Sequence, residues 1–543
     1  MNEIKVDLDR VASDIDRNLF GGSLAMGLDA KTSPDKYLYV PEATGGDKNQ
    51  LRKDVLAILE KMNFPNIRFA SGNFVSGYRW MDGIGPRDER PPRRNLAHLQ
   101  GGIMSNRYAT NEFIQFCRSM NIEPYLTVNC GDGDMREAAD FVEYCNGTGD
   151  TALAKLRRKH GFATPHKVKY WGVGNEVDGQ WQIGHKTPQE YARAFTEFSK
   201  VMKRVDPDIK LVASGVSLWE DSYQHPDEKS EWVERAQLIL EQGGDRIDYM
   251  SFHRLVHVSQ DDSFENYMAF VQNYNEHLSA YEGLIRAVTL ERGIKHAIGI
   301  TVDEWNFGRS VLRRSDSITV NIDEWGASHL PDDVIDEWRV MRHLESNGES
   351  LHDKTKRTIT LEDALLTALH FNSFIRHARS VRMANSCLPM LGLGIDLAHP
   401  KQPLIPATIY YPIELYSRTC GQLALDIYWS GDTFSGTFGN RAYTGIRALD
   451  VVATLSTAQK QLVIYVVNQN KDEAMETTIS LTSGEFVSNV NVSVINGPDI
   501  KSENTLEKPN QVGIRETIVK ASGKFLTYTF EPHSVTALLC SVN

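Results

Sequence analysis

Strand-like runs alternating with helical patterns between Phe20 and about Cys387, then short alternating strands after Tyr410, predict an α/β chain. The architecture implied is a (β/α)8 TIM barrel with a C-terminal antiparallel β-sandwich. A third observation favours a closed barrel over an open sheet: polar residues capable of chemistry recur directly after the strand-like runs, where such a barrel exposes its reaction centre. At 543 residues, 41% hydrophobic and 24% charged, the chain can bury a large core, and global disorder is excluded.

In chain order, residues 1–18 hold a strand, Glu3 to Leu8, that is expected to join the β-sandwich. Residues 19–405 form the barrel, with strands expected at Gly21 to Gly27, Asn66 to Ala70, Glu123 to Val128, Val168 to Val173, Lys210 to Ala213, Ile247 to Phe252, Ile298 to Val302 and Val381 to Ala384. Between them, Leu51 to Met62 has the apolar spacing of a one-faced helix. Pro188 to Val205 opens with proline at an initial helical position. The charge-rich stretch 309–359, with Asp-Glu-Trp at 323–325 and again at 336–338, reads as a surface insertion, a lid or an oligomer contact. Residues 406–543 supply the sandwich, with strands at Gln461 to Val467, Met475 to Leu481, Phe486 to Ile495 and Phe525 to Phe530.

Charge narrows the partners. With 59 Lys plus Arg against 71 Asp plus Glu, the formal net charge is −12, which opposes a nucleic-acid surface and favours a neutral or polar ligand. The charged opening MNEIKVDLDR is unlike a secretory leader and no segment has the apolar length of a membrane span, so a cytoplasmic protein without a membrane partner is expected. Cys117, Cys130, Cys145, Cys387, Cys420 and Cys540 form no metal-ligand spacing, so no metal is expected. No complete phosphate-binding glycine motif is present, and no cofactor is expected.

Two strand ends carry the chemistry. Trp171-Gly172-Val173-Gly174-Asn175-Glu176 and Ile300-Thr301-Val302-Asp303-Glu304-Trp305-Asn306 each run from a strand into a carboxylate. Glycoside cleavage needs an acid on the leaving oxygen and a second carboxylate, either as nucleophile or as base for water. Glu176 and Glu304 suit that pair. A separation of about 5 to 5.5 Å would mark a retaining enzyme and roughly 6.5 to 9.5 Å an inverting one. Asn73, Asn175 and His253 are candidate hydrogen-bonding partners of a sugar, and Trp80, Trp181 and Trp305 are candidate platforms for its apolar face. Asp82 reads as a turn former, Asp178 as an orienting residue, and Asp303 as facing away from Glu304 by strand alternation.

Several longer words of the chain resemble glycoside hydrolase family 51, whose familiar members are α-L-arabinofuranosidases. They include GNFVSGYRWMDGIGP at 72–86, EPYLTVN at 123–129, VKYWGVGNEVDGQWQIGHKT at 168–187, DYMSFH at 248–253 and DEWN at 303–306. The resemblance continues through LEDALLTALHFNSFIRHA at 361–378 and IYYPIELYS at 409–417, so it spans nearly the whole chain. It implies a retaining exo-hydrolase releasing terminal α-L-arabinofuranosyl residues from short oligosaccharides, with Glu176 as acid/base and Glu304 as nucleophile. It implies sugar contacts from Asn73, Asn175 and His253, and a homo-oligomer, commonly a hexamer.

The resemblance has gaps. A first-strand glutamate of the family falls at Leu24 or Ala25, a tyrosine at Leu255, and a glutamine at Leu388. These changes leave open another furanoside or a β-xyloside as substrate, or a noncatalytic carbohydrate-binding role.

Overall fold

The computed structural model describes residues 2–25, 51–97, 103–217, 231–259, 262–305, 307–310, 359–387, 404–439, 441–521 and 523–543. Eight parallel strands close into a barrel in chain order: Gly21–Ala25, Asn66–Ser71, Glu123–Val128, Tyr170–Val173, Lys210–Val216, Tyr249–His253, Gly299–Trp305 and Val381–Ser386. The last strand pairs with the first, Asn385 opposite Gly21. Asn66–Ser71, Tyr170–Val173 and Gly299–Trp305 are buried along their whole length. Helices cover the outside and side chains fill the inside, which is why these strands are buried on both faces, polar members included.

The helices form where the spacing predicts them. Lys53–Met62 buries Val55, Leu59 and Met62 on one face and stops at Asn63, whose φ of 52° leaves the right-handed helix. Pro188–Val205 begins with a capping box: Thr187 accepts from the Glu190 N–H, and the Glu190 side chain returns to the Thr187 backbone. The seventh barrel strand runs further than expected, to Trp305, so that Asp303 and Glu304 lie within it. The described part of the first strand ends at Ala25. Residues 26–27, residues 311–358 with both Asp-Glu-Trp words, and Leu388 lie outside the described residues.

The C-terminal domain is a nine-stranded sheet into which the N-terminal strand Asn2–Asp14 inserts. That strand pairs antiparallel with Leu423–Ser430 and parallel with Met475–Leu481, the parallel pairing being a departure from an all-antiparallel sheet. The strand expected from Phe486 is Val490–Asn496; Phe486 makes a lone bridge to Val542. Ile4, Val6, Val451, Ile464, Ile479 and Leu538 form this domain's own core. Leu361–Arg376, buried at all but its last position, joins the two domains. From it, Asn372 and Arg376 both reach Asp450 Oδ1 at 2.6 Å. The barrel is thereby held from behind, with its strand ends free to build a site.

Candidate active site

Glu176 follows the fourth barrel strand through Gly174, whose φ is +80° and whose added Cβ would meet Val177 and Cys130 at 2.8 and 2.9 Å. Glu176 itself has φ +43°, an uncommon conformation for a residue with a side chain. The strained turn aims its carboxylate into the barrel mouth. There Oε1 lies 3.0 Å from His253 Nδ1, and Oε2 accepts from Trp181 Nε1 at 3.3 Å.

Glu304 is held differently. Its Oε1 accepts from Arg68 Nη1 and from the Gly72 N–H, each at 2.8 Å. Its Oε2 is 3.8 Å from His253 Nδ1. Gly72 has φ +73°, and this turn after the second strand points its N–H at the carboxylate. One oxygen from each glutamate and a ring nitrogen of His253 all lie within 4.8 Å of one another.

Beneath them lies a buried charge cluster. Arg68 also donates through Nη2 to Asn175 Oδ1 at 2.8 Å, and its Nε is 3.4 Å from Asp303 Oδ2. Asp303 accepts from Tyr125 OH at 2.7 Å and stands 3.2 Å from His253 Nε2. Burial works against the Asp303 charge, but Arg68 and His253 outweigh it and hold the carboxyl at about 2, below its ordinary 3.8. Burial likewise pulls the His253 imidazole down, yet the charges of Glu304 and Asp303 and the bonds to Asp303 and Glu176 raise it to about 10. For Glu304, burial is the largest influence and raises the carboxyl, opposed by His253 and Arg68.

Asp303 corrects the alternation argument. Consecutive strand residues should face opposite sides, yet Asp303 and Glu304 both reach Arg68. The register against Tyr249–His253 shifts between Thr301 and Glu304, and against Val381–Ser386 between Val302 and Trp305. Such an irregularity re-aims a side chain at a barrel rim.

Two expected sugar platforms are also corrected. Trp80 is 3% exposed, stacks on Phe141 at 4.7 Å and donates Nε1 to Glu137 O. Trp305 is 1% exposed and stacks on His370 at 5.1 Å, with Phe371 and Phe374 against its edges. Both are core residues, because the strand and loop geometry turns them away from the mouth. Trp181 stands at the site through its bond to Glu176. Asn73 is half-buried beside Gly72 and accepts from Gln182 Nε2. Asn175 is 1% exposed, and its Nδ2 has no hydrogen-bond partner among the described residues. Asp178 accepts from Ser217 N and Oγ, and Asp82 pairs with Arg93.

Arg68, Gly72, Tyr125 and Gln182 are contributors that sequence reasoning missed. A signal for Arg68 existed: an arginine inside the apolar strand Asn66–Ser71 must be paired to be tolerated there. The spacing of Glu176, His253 and Glu304 would suit a metal ion, but the donor chemistry does not. A His253 that keeps its proton has no lone pair to offer, and Arg68 already occupies one Glu304 oxygen.

Comparison with known proteins agrees with this geometry. Residues 58–274 match the model of the α-L-arabinofuranosidase 1 domain, and residues 323–534 that of the α-L-arabinofuranosidase C-terminal domain. A probable α-L-arabinofuranosidase C of Aspergillus clavatus is 30% identical over 92% of this chain and 90% of its own length. The chain belongs to the α-L-arabinofuranosidases of glycoside hydrolase family 51. An intracellular exo-α-(1→5)-L-arabinofuranosidase 1 of Bacillus subtilis is 29% identical over 97% of both chains. The structure of the thermostable family 51 α-L-arabinofuranosidase of Thermotoga petrophila superposes with a TM-score of 0.78, at 29% identity, over 99% of this chain and 100% of that one. As a family member the chain is a glycoside hydrolase that releases arabinofuranose, and its barrel with a C-terminal sheet domain is the architecture of that family.

Proposed function

We propose that this hydrolase removes terminal non-reducing α-L-arabinofuranosyl residues from short oligosaccharides with retention of configuration, using Glu176 as acid/base and Glu304 as nucleophile. The observation that carries the reading is the proximity of the two carboxylates, one oxygen of each lying within 4.8 Å of the other. Retaining enzymes keep their carboxyl groups about 5 to 5.5 Å apart, whereas inverting ones leave room for a water at roughly 6.5 to 9.5 Å.

The surroundings divide the roles. Arg68 and the Gly72 N–H hold Glu304 Oε1, which leaves Oε2 to attack the anomeric carbon. Two such donors work for the carboxylate, the form a nucleophile needs, against the burial that raises it. Glu176 Oε2, under the Trp181 indole, faces the leaving group and delivers its proton; the same carboxylate then deprotonates the water that opens the glycosyl ester. Asn175 Nδ2 is a buried donor awaiting an acceptor, and a ring hydroxyl supplies one. Asn73, His253 and Trp181 complete the sugar-binding set. In this reading residues 19–405 carry catalysis, with 309–359 as an insertion, while 1–18 and 406–543 form the supporting β-domain. A cytoplasmic location is supported by the Bacillus subtilis relative being named intracellular, and among the described residues no helix is long and apolar enough to cross a membrane. A homo-oligomer is part of the same proposal, and light scattering of the purified chain tests it.

The decisive experiment is hydrolysis of an aryl α-L-arabinofuranoside in the presence of methanol. Transfer to methanol with the α-configuration kept is expected; a β-methyl product would overturn the retaining assignment.

A further inference from the structure

Asp303 sits next to Glu304 in the chain, yet its oxygens serve other groups. Oδ2 accepts from Tyr125 OH at 2.7 Å and lies 3.4 Å from Arg68 Nε, while Oδ1 is 3.2 Å from His253 Nε2. The opposite ring nitrogen, Nδ1, is 3.0 Å from Glu176 Oε1. Both nitrogens of one imidazole therefore face carboxyl groups. A neutral imidazole has a single N–H and satisfies one of two carboxylates; the imidazolium satisfies both. Glu176 in turn meets a donor at each oxygen, His253 at Oε1 and Trp181 at Oε2. Both donors are in place for the carboxylate that forms when Glu176 gives up its proton.

We infer that Asp303 is a positioning residue of the glycosidase reaction: it orients His253 as a two-proton donor whose Nδ1–H stabilises the Glu176 carboxylate formed as the leaving group departs. The inference rests on the reading of Glu176 as acid/base. In the step itself the Glu176 proton passes to the glycosidic oxygen, which also takes the electron pair of the broken C–O bond, and Glu304 Oε2 supplies the pair for the new ester. His253 keeps both protons throughout.

Among the described residues, the charged groups facing His253 are Glu176 from the fourth strand's loop and Asp303 and Glu304 from the seventh strand, with Arg68 behind the latter two. Once Glu304 is esterified its charge is gone. Asp303 is then the counter-ion that stays beside the imidazolium through both halves of the reaction. The depressed Asp303 carboxyl, at about 2, and the raised His253, at about 10, accord with that fixed ion pair.

The test is kcat/KM, which reports the glycosylation step, across aryl α-L-arabinofuranosides of graded leaving-group acidity and an unactivated arabinobiose. Asp303→Asn is expected to stay within about threefold of wild type on the dinitrophenyl glycoside and to lose about 10²-fold on phenyl and sugar leaving groups, the scale of general-acid assistance. Tyr125→Phe, which removes one donor to Asp303, is expected to follow the same trend by less than about tenfold, and it decides the matter if Asp303→Asn does not fold. An equal loss on every leaving group, or no loss, would overturn the inference. Glu176→Ala in the same series separates the two readings. A steep dependence there with a flat Asp303→Asn removes only the role of Asp303, whereas a flat Glu176→Ala removes the acid/base reading and this inference with it.

Discussion

Arg68 Nη1 donates to Glu304 Oε1 at 2.8 Å while its Nη2 donates to Asn175 Oδ1 at 2.8 Å, so one planar guanidinium aligns the nucleophile with the residue preceding the acid. Lysine would keep the charge but not the fork. Arg68→Lys is expected to lower kcat by about 10²-fold, with a smaller change in KM. Arg68→Met leaves two buried carboxylates with only the His253 imidazolium beside them and is expected to destabilise the fold by about 3–5 kcal/mol. Steady-state kinetics and urea unfolding check the two effects separately. Wild-type kcat in the lysine variant would mean that charge alone suffices.

Glycines let the loops of the site interlock. Gly184 has φ +69°, and a Cβ there would come within 2.4 Å of Gly131 O, while a Cβ on Gly131 would come within 2.3 Å of Ser76 O. Across the same junction Gln182 Oε1 accepts from Ser76 Oγ at 2.7 Å and Lys186 Nζ donates to Cys130 O at 2.7 Å. Backbone cannot yield as a flexible side chain does, so Gly184→Ala must displace the loop that carries Trp181. A drop of about 10²-fold in kcat/KM is expected, because small misplacements of catalytic groups are costly. Retention of full activity would show that the loop absorbs the methyl group without moving Trp181.

Trp80 and Trp181 separate by experiment. Trp80→Ala deletes a core ring stacked on Phe141 and is expected to cost about 3–5 kcal/mol in stability, with KM of the folded enzyme unchanged. Trp181→Phe keeps the bulk and removes the N–H that reaches Glu176 Oε2, so kcat falls by about tenfold while Tm hardly moves. The reverse pattern would return Trp80 to the sugar site. Thermal unfolding and initial rates on one aryl glycoside are enough to tell.

The barrel was legible because each strand is a run of buried apolar residues punctuated by turns, and Glu176 and Glu304 were legible because they end such runs. The tryptophans misled for a physical reason. Trp305 is the last residue of its strand, and the register shift between Val302 and Trp305 turns its ring onto the His370 helix; Trp80 lies in a short turn beyond the second strand, packed on Phe141. The second shift, against Tyr249–His253, accompanies the inward Asp303, against simple alternation. Gln182 was invisible because its partners, Asn73 and Ser76, are more than a hundred residues away in the chain. Long-range pairing of uncharged polar groups leaves no periodic trace.

His253 gives the clearest pH prediction. Its folded value of about 10 lies above the ordinary 6.5, so protonation favours the native state. That stability is fully present below 6.5 and is lost as pH rises through about 10. Asp303 has the opposite sense: lowered to about 2 from 3.8, it stabilises above 3.8 and loses its contribution as pH falls through about 2. A His253→Gln variant keeps a hydrogen-bonding side chain but cannot take up the proton. Urea unfolding of wild type and His253→Gln at pH 6, 8 and 9.5 is expected to show a wild-type advantage that is largest at pH 6 and shrinks toward the alkaline end. A constant difference over that range would mean that His253 acts in folding as a neutral imidazole. Only one ring nitrogen would then donate, to either Glu176 Oε1 or Asp303 Oδ1.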